Sequence, residues 1–410
     1  VGKSYVIEKF GKSFFQNVVT VNFELQSQLK KCFVSLDPYE IINKLQLLMG
    51  VKIKQGESLL FLDEIQECPE AIMALRYFKE KMQGLHVVGA GSLLEFALNK
   101  SDFKMPVGRV QYIYLGPLSF GEYLDAFGYT DIREYLATVT LAQGVDIQIH
   151  TKLIELLRTY LLLGGMPAVI GEFLMNKDHI ACMHLQSSLL ETFRNDFAKY
   201  STVSNIKYLR KVFDAAPRMV GSRIKYVHID PETKSRDLKE ALELLSLAGI
   251  IKKIHASASS GLPLGAQISE KKLKLNFLDI GLMQNACGIQ DKLAVENDFM
   301  QINAGAVAEQ LVGQELCAYA DKYQEYRFYF WARDKKNSSA EIDYLTTVGS
   351  QIIPIEVKAG KTGKLKSLKL YMQEKKASLG VRCLLANISY NDHILSIPLY
   401  MIEQLPRFVR

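Results

Sequence analysis

The order of apolar and polar residues predicts alternating strands and helices at the start of the chain. Tyr5, Val6, Ile7 and Phe10 fit a short helix ending at Gly11, and Phe15 to Phe23 reads as a strand. Tyr39 to Met49 is helical, Ser58 to Asp63 is an apolar strand, Ala71 to Met82 is a helix after Pro69, and Leu85 to Ala90 is a third strand. A strand over Pro106 to Leu115 and a helix over Phe120 to Phe127 follow. Strands separated by helices predict a mostly parallel sheet with sites at the strand carboxyl ends.

Farther along, apolar residues at three- and four-residue steps predict helices over Ile132 to Gln148, Thr151 to Leu163 and Asp178 to Tyr200. Another runs over Ile206 to Ala215, with Pro217 as its stop. Gly164-Gly165-Met166-Pro167 predicts a tight turn with Pro167 opening the next helix, a structural role preferred to a catalytic one. Lys225 to His228 reads as short and extended. A helix at Ser235 to Leu247, a strand after Ala248-Gly249 and a loose loop at Ser257 to Pro263 resemble a winged helix. Such modules bind DNA or act as spacers, and the segment has no dense basic face. Lys274 to Asp279 is a strand, Gly305 to Tyr319 an amphipathic helix, and three alternating strands lie at Tyr326 to Trp331, Glu341 to Leu345 and Ile352 to Lys358. Two closing strands and a short helical turn complete the chain.

The chain has 410 residues, 48% of them hydrophobic and 23% charged, which calls for two or three globular domains. The formal charge of +6 permits contact with nucleic acid without requiring it. Six scattered cysteines show no C-x-x-C pair, so neither a zinc ribbon nor a disulfide scaffold is expected. His228 and His255 lack metal-ligand spacing. No apolar run reaches 18 residues, so no membrane association is expected.

Two constellations carry candidate chemistry. Val1-Gly2-Lys3-Ser4 reads as the last four positions of a phosphate-binding loop whose earlier glycines are expected ahead of Val1. In such a loop Gly2 and backbone amides cradle phosphates, Lys3 holds the β- and γ-phosphates, and the Ser4 hydroxyl reaches Mg2+. Asp63, at the tip of an apolar strand, completes the Mg2+ shell, and Glu64 is placed to orient the attacking water. The alternative is a surface lysine and a helix-capping aspartate. Ser92 follows the third strand, where a hydroxyl can sense a γ-phosphate or cap the helix ahead with Glu95. Arg109 and Arg194 are candidate arginine fingers, and Arg109 reads equally well as an exposed strand-end residue.

The second constellation is Asp343, then Glu356 and Lys358 thirteen and fifteen residues on. A period of two puts Glu356 and Lys358 on one strand face, and an antiparallel neighbour brings Asp343 to the same point. Two carboxylates there can hold Mg2+, the lysine can position water, and Glu309 can add a ligand. Surface salt bridges on a three-stranded sheet are the alternative. Seven lysines between residues 358 and 376 fit either a phosphate backbone or a solvated helix face.

Gly2-Lys3-Ser4, Asn22-Phe23-Glu24, Phe61-Leu62-Asp63-Glu64-Ile65-Gln66, Gly91-Ser92, Gly108-Arg109-Val110 and Pro117-Leu118-Ser119-Phe120 together resemble the prokaryotic AAA-type ATPases that pair an ATPase core with a conserved C-terminal domain. Gly164-Gly165-Met166-Pro167 fits the same family with Met166 in place of an aromatic, and Arg194-Asn195-Asp196 fits a later polar signature. The resemblance implies ATP and Mg2+ as ligands and a cytoplasmic location. The Asp343, Glu356 and Lys358 set resembles the restriction-endonuclease-like nuclease core, which some family members carry in a worn form.

The expected fold is therefore α/β in four parts. Residues 1–128 form an AAA-like P-loop core, 129–215 a helical lid, 216–270 a winged-helix-like link and 271–410 a restriction-endonuclease-like domain. The expected function is Mg-dependent ATP hydrolysis that drives or gates the C-terminal domain. An ATP-regulated metal-dependent nuclease or DNA-binding protein, and a nucleotide-switched interaction protein without catalysis, are the alternatives. DNA, a protein partner and further copies of the chain are the candidate partners beside ATP.

Overall fold

The computed structural model describes residues 2–91, 108–201, 203–288, 304–335, 338–360 and 365–409. The chain divides into two compact units, Val1–Leu115 with Lys322–Gln324, and Gly116–Asp321 with Glu325–Arg410.

Among the described residues the first unit is a parallel three-stranded sheet between helices. Its strands are β1 (Asn17–Asn22), β2 (Ser58–Asp63) and β3 (His86–Ala90), in the order β1-β2-β3. Every residue of β2 is buried, as expected for a central strand covered on both faces. Helix α1 (Lys3–Phe14) packs on one face, where a Cβ on Gly11 would lie 2.4 Å from Val18 and 3.0 Å from Leu59. Only a glycine allows that approach. Helices α2 (Pro38–Met49) and α3 (Pro69–Lys81) bury the other face with Val19, Val21, Leu60 and Leu62. Alternation along the strands then places Asn22 and Asp63 on the α1 face, at the carboxyl ends.

The second unit joins a helical part to a mixed sheet. Helices α4 (Phe120–Ala126), α5 (Thr130–Thr138), α6 (Ile147–Leu163), α7 (Pro167–Asn176), α8 (His179–Tyr200), α9 (Val203–Met219) and α10 (Ser235–Leu247) come first. Strands β4 (Ile251–Ser257) and β5 (Ile268–Phe277) form a hairpin, followed by α11 (Ile280–Ala286) and α12 (Ala304–Ala318). Then come β6 (Phe328–Ala332), β7 (Glu341–Val348), β8 (Gln351–Val357), α13 (Lys366–Lys375), β9 (Gly380–Leu384), β10 (Ser389–Asn391), β11 (Ile394–Pro398) and α14 (Leu405–Phe408). The eight strands order as β10-β11-β9-β8-β7-β6-β4-β5. Strands β6, β7 and β8 form an antiparallel meander, and β9 runs parallel to β8. The β4–β5 hairpin enters this sheet through a parallel pairing of β4 with β6. The boundary expected at 270/271 thus falls inside β5.

Several expected elements differ. Among the described residues of the strand expected at 106–115, none is in a strand; the Tyr114 amide donates instead to the Lys322 carbonyl at 2.9 Å. Its apolar side chains Ile113 and Leu115 are exposed, so no buried sheet face calls for the strand. The helix expected over Ile132 to Gln148 is two helices. Gly144 takes a positive φ of 66°, and the Asp146 side chain then caps a new helix by accepting from the Gln148 and Ile149 amides. Pro217 sits inside the last turn of α9, which closes two residues later at Met219, so the helix loses the one N–H bond a proline lacks and ends just beyond it. Tyr226–His228 is a 3-10 turn and is not extended.

The Gly-Gly-Met-Pro turn is explained by its neighbours. Gly164 ends α6 with φ at 72°, and a Cβ there would lie 2.1 Å from Asp279 Oδ1. A Cβ on Gly165 would lie 2.1 Å from the Leu118 carbonyl oxygen. Gly165 donates its amide to Asp279 at 2.6 Å, and its carbonyl accepts from the Leu118 amide at 2.7 Å. Asp279 is fully buried, caps α11 through the Leu282 amide at 3.0 Å, and faces Gln314 of α12 at 3.4 Å. One carboxylate therefore ties this turn to α11 and α12. Among the described residues no single helix is long and apolar enough to cross a membrane; α6 and α7 pass that test only as a pair, bent by 118°.

Gly165→Ala drives a methyl group into the Leu118 backbone and is expected to destabilise the protein by about 2–3 kcal/mol, read as a lower midpoint in denaturant. An unchanged midpoint would show that the turn tolerates a side chain.

Candidate functional site

The first site lies at the carboxyl edge of the parallel sheet. Gly2 is in the left-handed region, φ 66°, and turns the chain into α1. Lys3 and Ser4 occupy the first turn of that helix. From Ser4 to Gly11 the helix rises about 10 Å. From Leu59 to Asp63 the strand rises about 13 Å. The two elements run back to back, so a helix packed through Gly11 delivers Ser4 to the tip of β2. There the Ser4 hydroxyl lies 3.1 Å from both Asp63 carboxylate oxygens. Asp63 is 8% exposed and also accepts from Asn22 Nδ2 at 3.1 Å. Asn22 and Asp63 are register partners, and the Asn22 Oδ1 accepts from the Glu24 and Leu25 amides at 3.1 and 2.9 Å. The asparagine therefore fixes the carboxylate.

Glu64 takes φ 49° and ψ 46°, a left-handed conformation uncommon outside glycine and often found at functional sites. Its carboxylate accepts from Gln66 Nε2 at 2.6 Å. The other end of that amide, Oε1, is buried with no partner among the described residues. A Cβ on Gly91 would lie 2.0 Å from this oxygen, so Gly91 leaves room for Gln66. Asn22 and Gln66 stand within the motif strings, but spacing alone does not reveal whom a side chain holds.

The donor chemistry fits a hydrated magnesium ion. A hydroxyl and one carboxylate suffice when phosphates and waters supply the remaining oxygens. Such a site differs from an all-protein cage, and among the described residues no cluster of three or more His, Cys, Asp or Glu is arranged as one.

The other expected residues are not all brought here. Ser92 lies outside the described residues. Arg109 pairs with Glu80 at 3.3 Å, and Arg76 holds the same carboxylate at 3.0 Å. Glu80 lies eleven residues along α3 from Pro69, about 16 Å toward the amino ends of the strands. Arg109 is thus held away from the edge that carries Asp63. Arg194, in the second unit, holds Asp214 at 2.7 Å, pairs with Glu191 and lies over the Phe213 ring at 5.3 Å.

The second constellation does assemble. In the β7–β8 register Tyr344 faces Ile355, so Asp343 and Glu356 are next in line on one face. Asp343 Oδ2 accepts from the Val357 amide at 2.8 Å, and Lys358 Nζ lies 2.5 Å from Glu356 Oε1. Glu356 is 6% exposed, and its Oε2 has no hydrogen-bond partner among the described residues. Glu309 arrives from α12. Lys274 of β5 joins them, a residue to which no motif spacing points. Alternation assigns Lys274 to a solvent face, but α12 covers that face and leaves the residue 1% exposed. Its ammonium lies 2.6 Å from Glu309, 3.2 Å from Glu341 and 3.7 Å from Asp343. An Mg2+ shared by Asp343 and Glu309 does not fit this arrangement, because the Lys274 ammonium already stands between those two carboxylates, while Glu356 is held by Lys358.

Electrostatics follow burial. Burial, and next the charge of Asp343, push Glu309 up to about 8 and Glu356 up to about 7. Burial also raises Asp343. Burial alone would lower Lys274, but the charges of Glu309, Asp343 and Glu341 outweigh it and hold the lysine above its ordinary value.

Comparison with known proteins finds three family matches along the chain. Residues 1–124 match the model of an AAA domain. Residues 154–293 and 304–401 match two domains of unknown function, DUF8612 and DUF4143. No curated protein and no solved structure matches the chain.

Glu309 and Glu356 bind protons more tightly folded than unfolded. Their stabilisation is complete below the ordinary glutamate value of 4.5 and is lost as pH rises through about 7 and about 8. Chemical denaturation from pH 5 to 8 should show falling stability, and Glu309→Gln should flatten the slope. An equal slope in the variant would contradict the assignment. The chain carries an N-terminal AAA-type ATPase domain followed by two domains of unknown function, and it is an ATPase of the AAA-type P-loop class.

Proposed function

We propose that Mg-dependent ATP hydrolysis at the Ser4–Asp63 edge drives or gates the second unit. The observation that carries this reading is the contact of the Ser4 hydroxyl with both Asp63 oxygens, 3.1 Å each, at the start of a helix and the end of a buried strand. In this account the Gly2 turn and the first amides of α1 face the phosphates, where the helix dipole favours an anion. Lys3 neutralises the β- and γ-phosphates. Ser4 and Asp63 would hold a magnesium ion, which supplies charge neutralisation when bound. Glu64 orients the attacking water and takes up its proton, and Gln66 holds that carboxylate in place. Ser92 and the arginines Arg109 and Arg194 remain proposed sensors of the γ-phosphate; Arg109 must leave Glu80 to act there.

A second reading concerns the C-terminal part. The succession α12, β6, β7, β8, α13, β9, with an antiparallel meander and a parallel fourth strand, supports a restriction-endonuclease-like core. Convergence of Glu309, Asp343, Glu356 and Lys358 adds to it. Contact with DNA through this domain, in a cytoplasmic protein gated by ATP, is the partner we favour.

Hydrolysis by the full-length gene product tests the first reading. Glu64→Gln is expected to lower turnover by about 10²–10⁴-fold with nucleotide binding retained. Lys3→Ala is expected to lose binding of the triphosphate. Unchanged turnover in Glu64→Gln would remove the water-orienting role.

A further inference from the structure

The charge pattern around Lys274 is unusual for a strand residue. Carboxylates reach its ammonium from two elements, Glu309 from α12 and Glu341 and Asp343 from β7. The ammonium also lies 5.7 Å from the Phe330 ring centroid on β6. Glu341 is shared with Arg223 at 2.7 Å. Glu356, the remaining carboxylate, is paired with Lys358. Lys274, Arg223 and Lys358 thus stand against Glu309, Glu341, Asp343 and Glu356.

Buried carboxylates this close repel one another and require a cation or protons between them. A divalent ion is the usual solution where hard oxygens converge. Here the Lys274 ammonium holds the convergence point, and its distances of 2.6 to 3.7 Å are those of an ammonium with oxygens. An ion bound to Glu309 and Asp343 would need that same space. We infer that Lys274 is a built-in counter-cation standing where a divalent ion would otherwise bind, so that the second unit assembles without metal and harbours a latent divalent-cation site beneath this one side chain. The inference rests on the cluster alone and is independent of the ATP site.

The test uses the full chain and Mn2+ alone, in an Asp63→Asn background so that the first site contributes nothing. Titration is followed by the electron paramagnetic resonance of free Mn2+ and by the thermal midpoint. With Lys274 present, no saturable Mn2+ binding dependent on Asp343 is expected. Lys274→Met keeps the apolar stem and removes the charge; it should create one saturable Mn2+ site per chain and make the midpoint rise with Mn2+. Adding Asp343→Asn should abolish both effects. Mn2+ binding by the Lys274 protein that Asp343→Asn removes would overturn the inference, because metal and ammonium would then coexist. A folded Lys274→Met chain without a Mn2+ site would also overturn it. So would a variant that fails to fold with and without Mn2+, since metal should replace the ammonium.

Discussion

Carboxylates removed from water organise both units. An ionised carboxylate in an apolar interior is costly unless donors or cations meet it. Each buried acid here therefore dictates what stands around it. Asp279 requires the amides of Gly165 and Leu282 and leaves no space for a side chain at Gly164. Glu315, 2% exposed, accepts from the Phe120 amide at 2.9 Å and joins α12 to the start of α4. Burial pushes this acid up to about 8. Asp63 gathers Ser4 and Asn22. Glu309, Glu341 and Asp343 gather Lys274. The same constraint has two outcomes. Where the protein supplies only neutral donors, as at Asp63, the charge remains free to work with an incoming cation. Where it supplies an ammonium, as at Lys274, the charge is already answered.

Much of the first unit was legible because its signals are local. An apolar run ending in Asp63-Glu64 is a buried parallel strand with acids at its tip, and Gly2-Lys3-Ser4 before an amphipathic stretch is a loop feeding a helix. The register that sets Asn22 beside Asp63 was not legible, since pairing depends on how two distant strands slide. The strand expected at 106–115 fails for a related reason: alternation shows that a segment can be a strand, and only a partner makes it one. Pro217 marks the end of α9 only to within two residues, since a proline removes its own N–H bond and leaves the following amides able to close the turn. Gly144 and Asp146, by contrast, did carry a readable break that apolar periodicity obscured.

In the second unit the alternating strands placed Asp343 opposite Glu356 correctly, because a period of two and one hairpin suffice. Lys274 was invisible for the opposite reason. A lysine in an alternating strand reads as solvent-facing, and only the docking of α12 over that face buries it. Its partners come from a helix 35 residues later and a strand 67 and 69 residues later. Long-range convergence of this kind leaves no mark in spacing. It sets an ammonium beside acids that spacing alone brings to one strand face.

In the proposed function the Ser4–Asp63 pair acts together on a hydrated cation at a nucleotide's phosphates. The most direct measurement is the Mg2+ dependence of ATP affinity, by equilibrium titration of the full-length protein with and without the ion. Tighter ATP binding in Mg2+, with that gain lost in Asp63→Asn and in Ser4→Ala, is the predicted result. ATP binding that gains equally from Mg2+ in all three proteins would contradict it, as would a protein that binds no ATP in either condition.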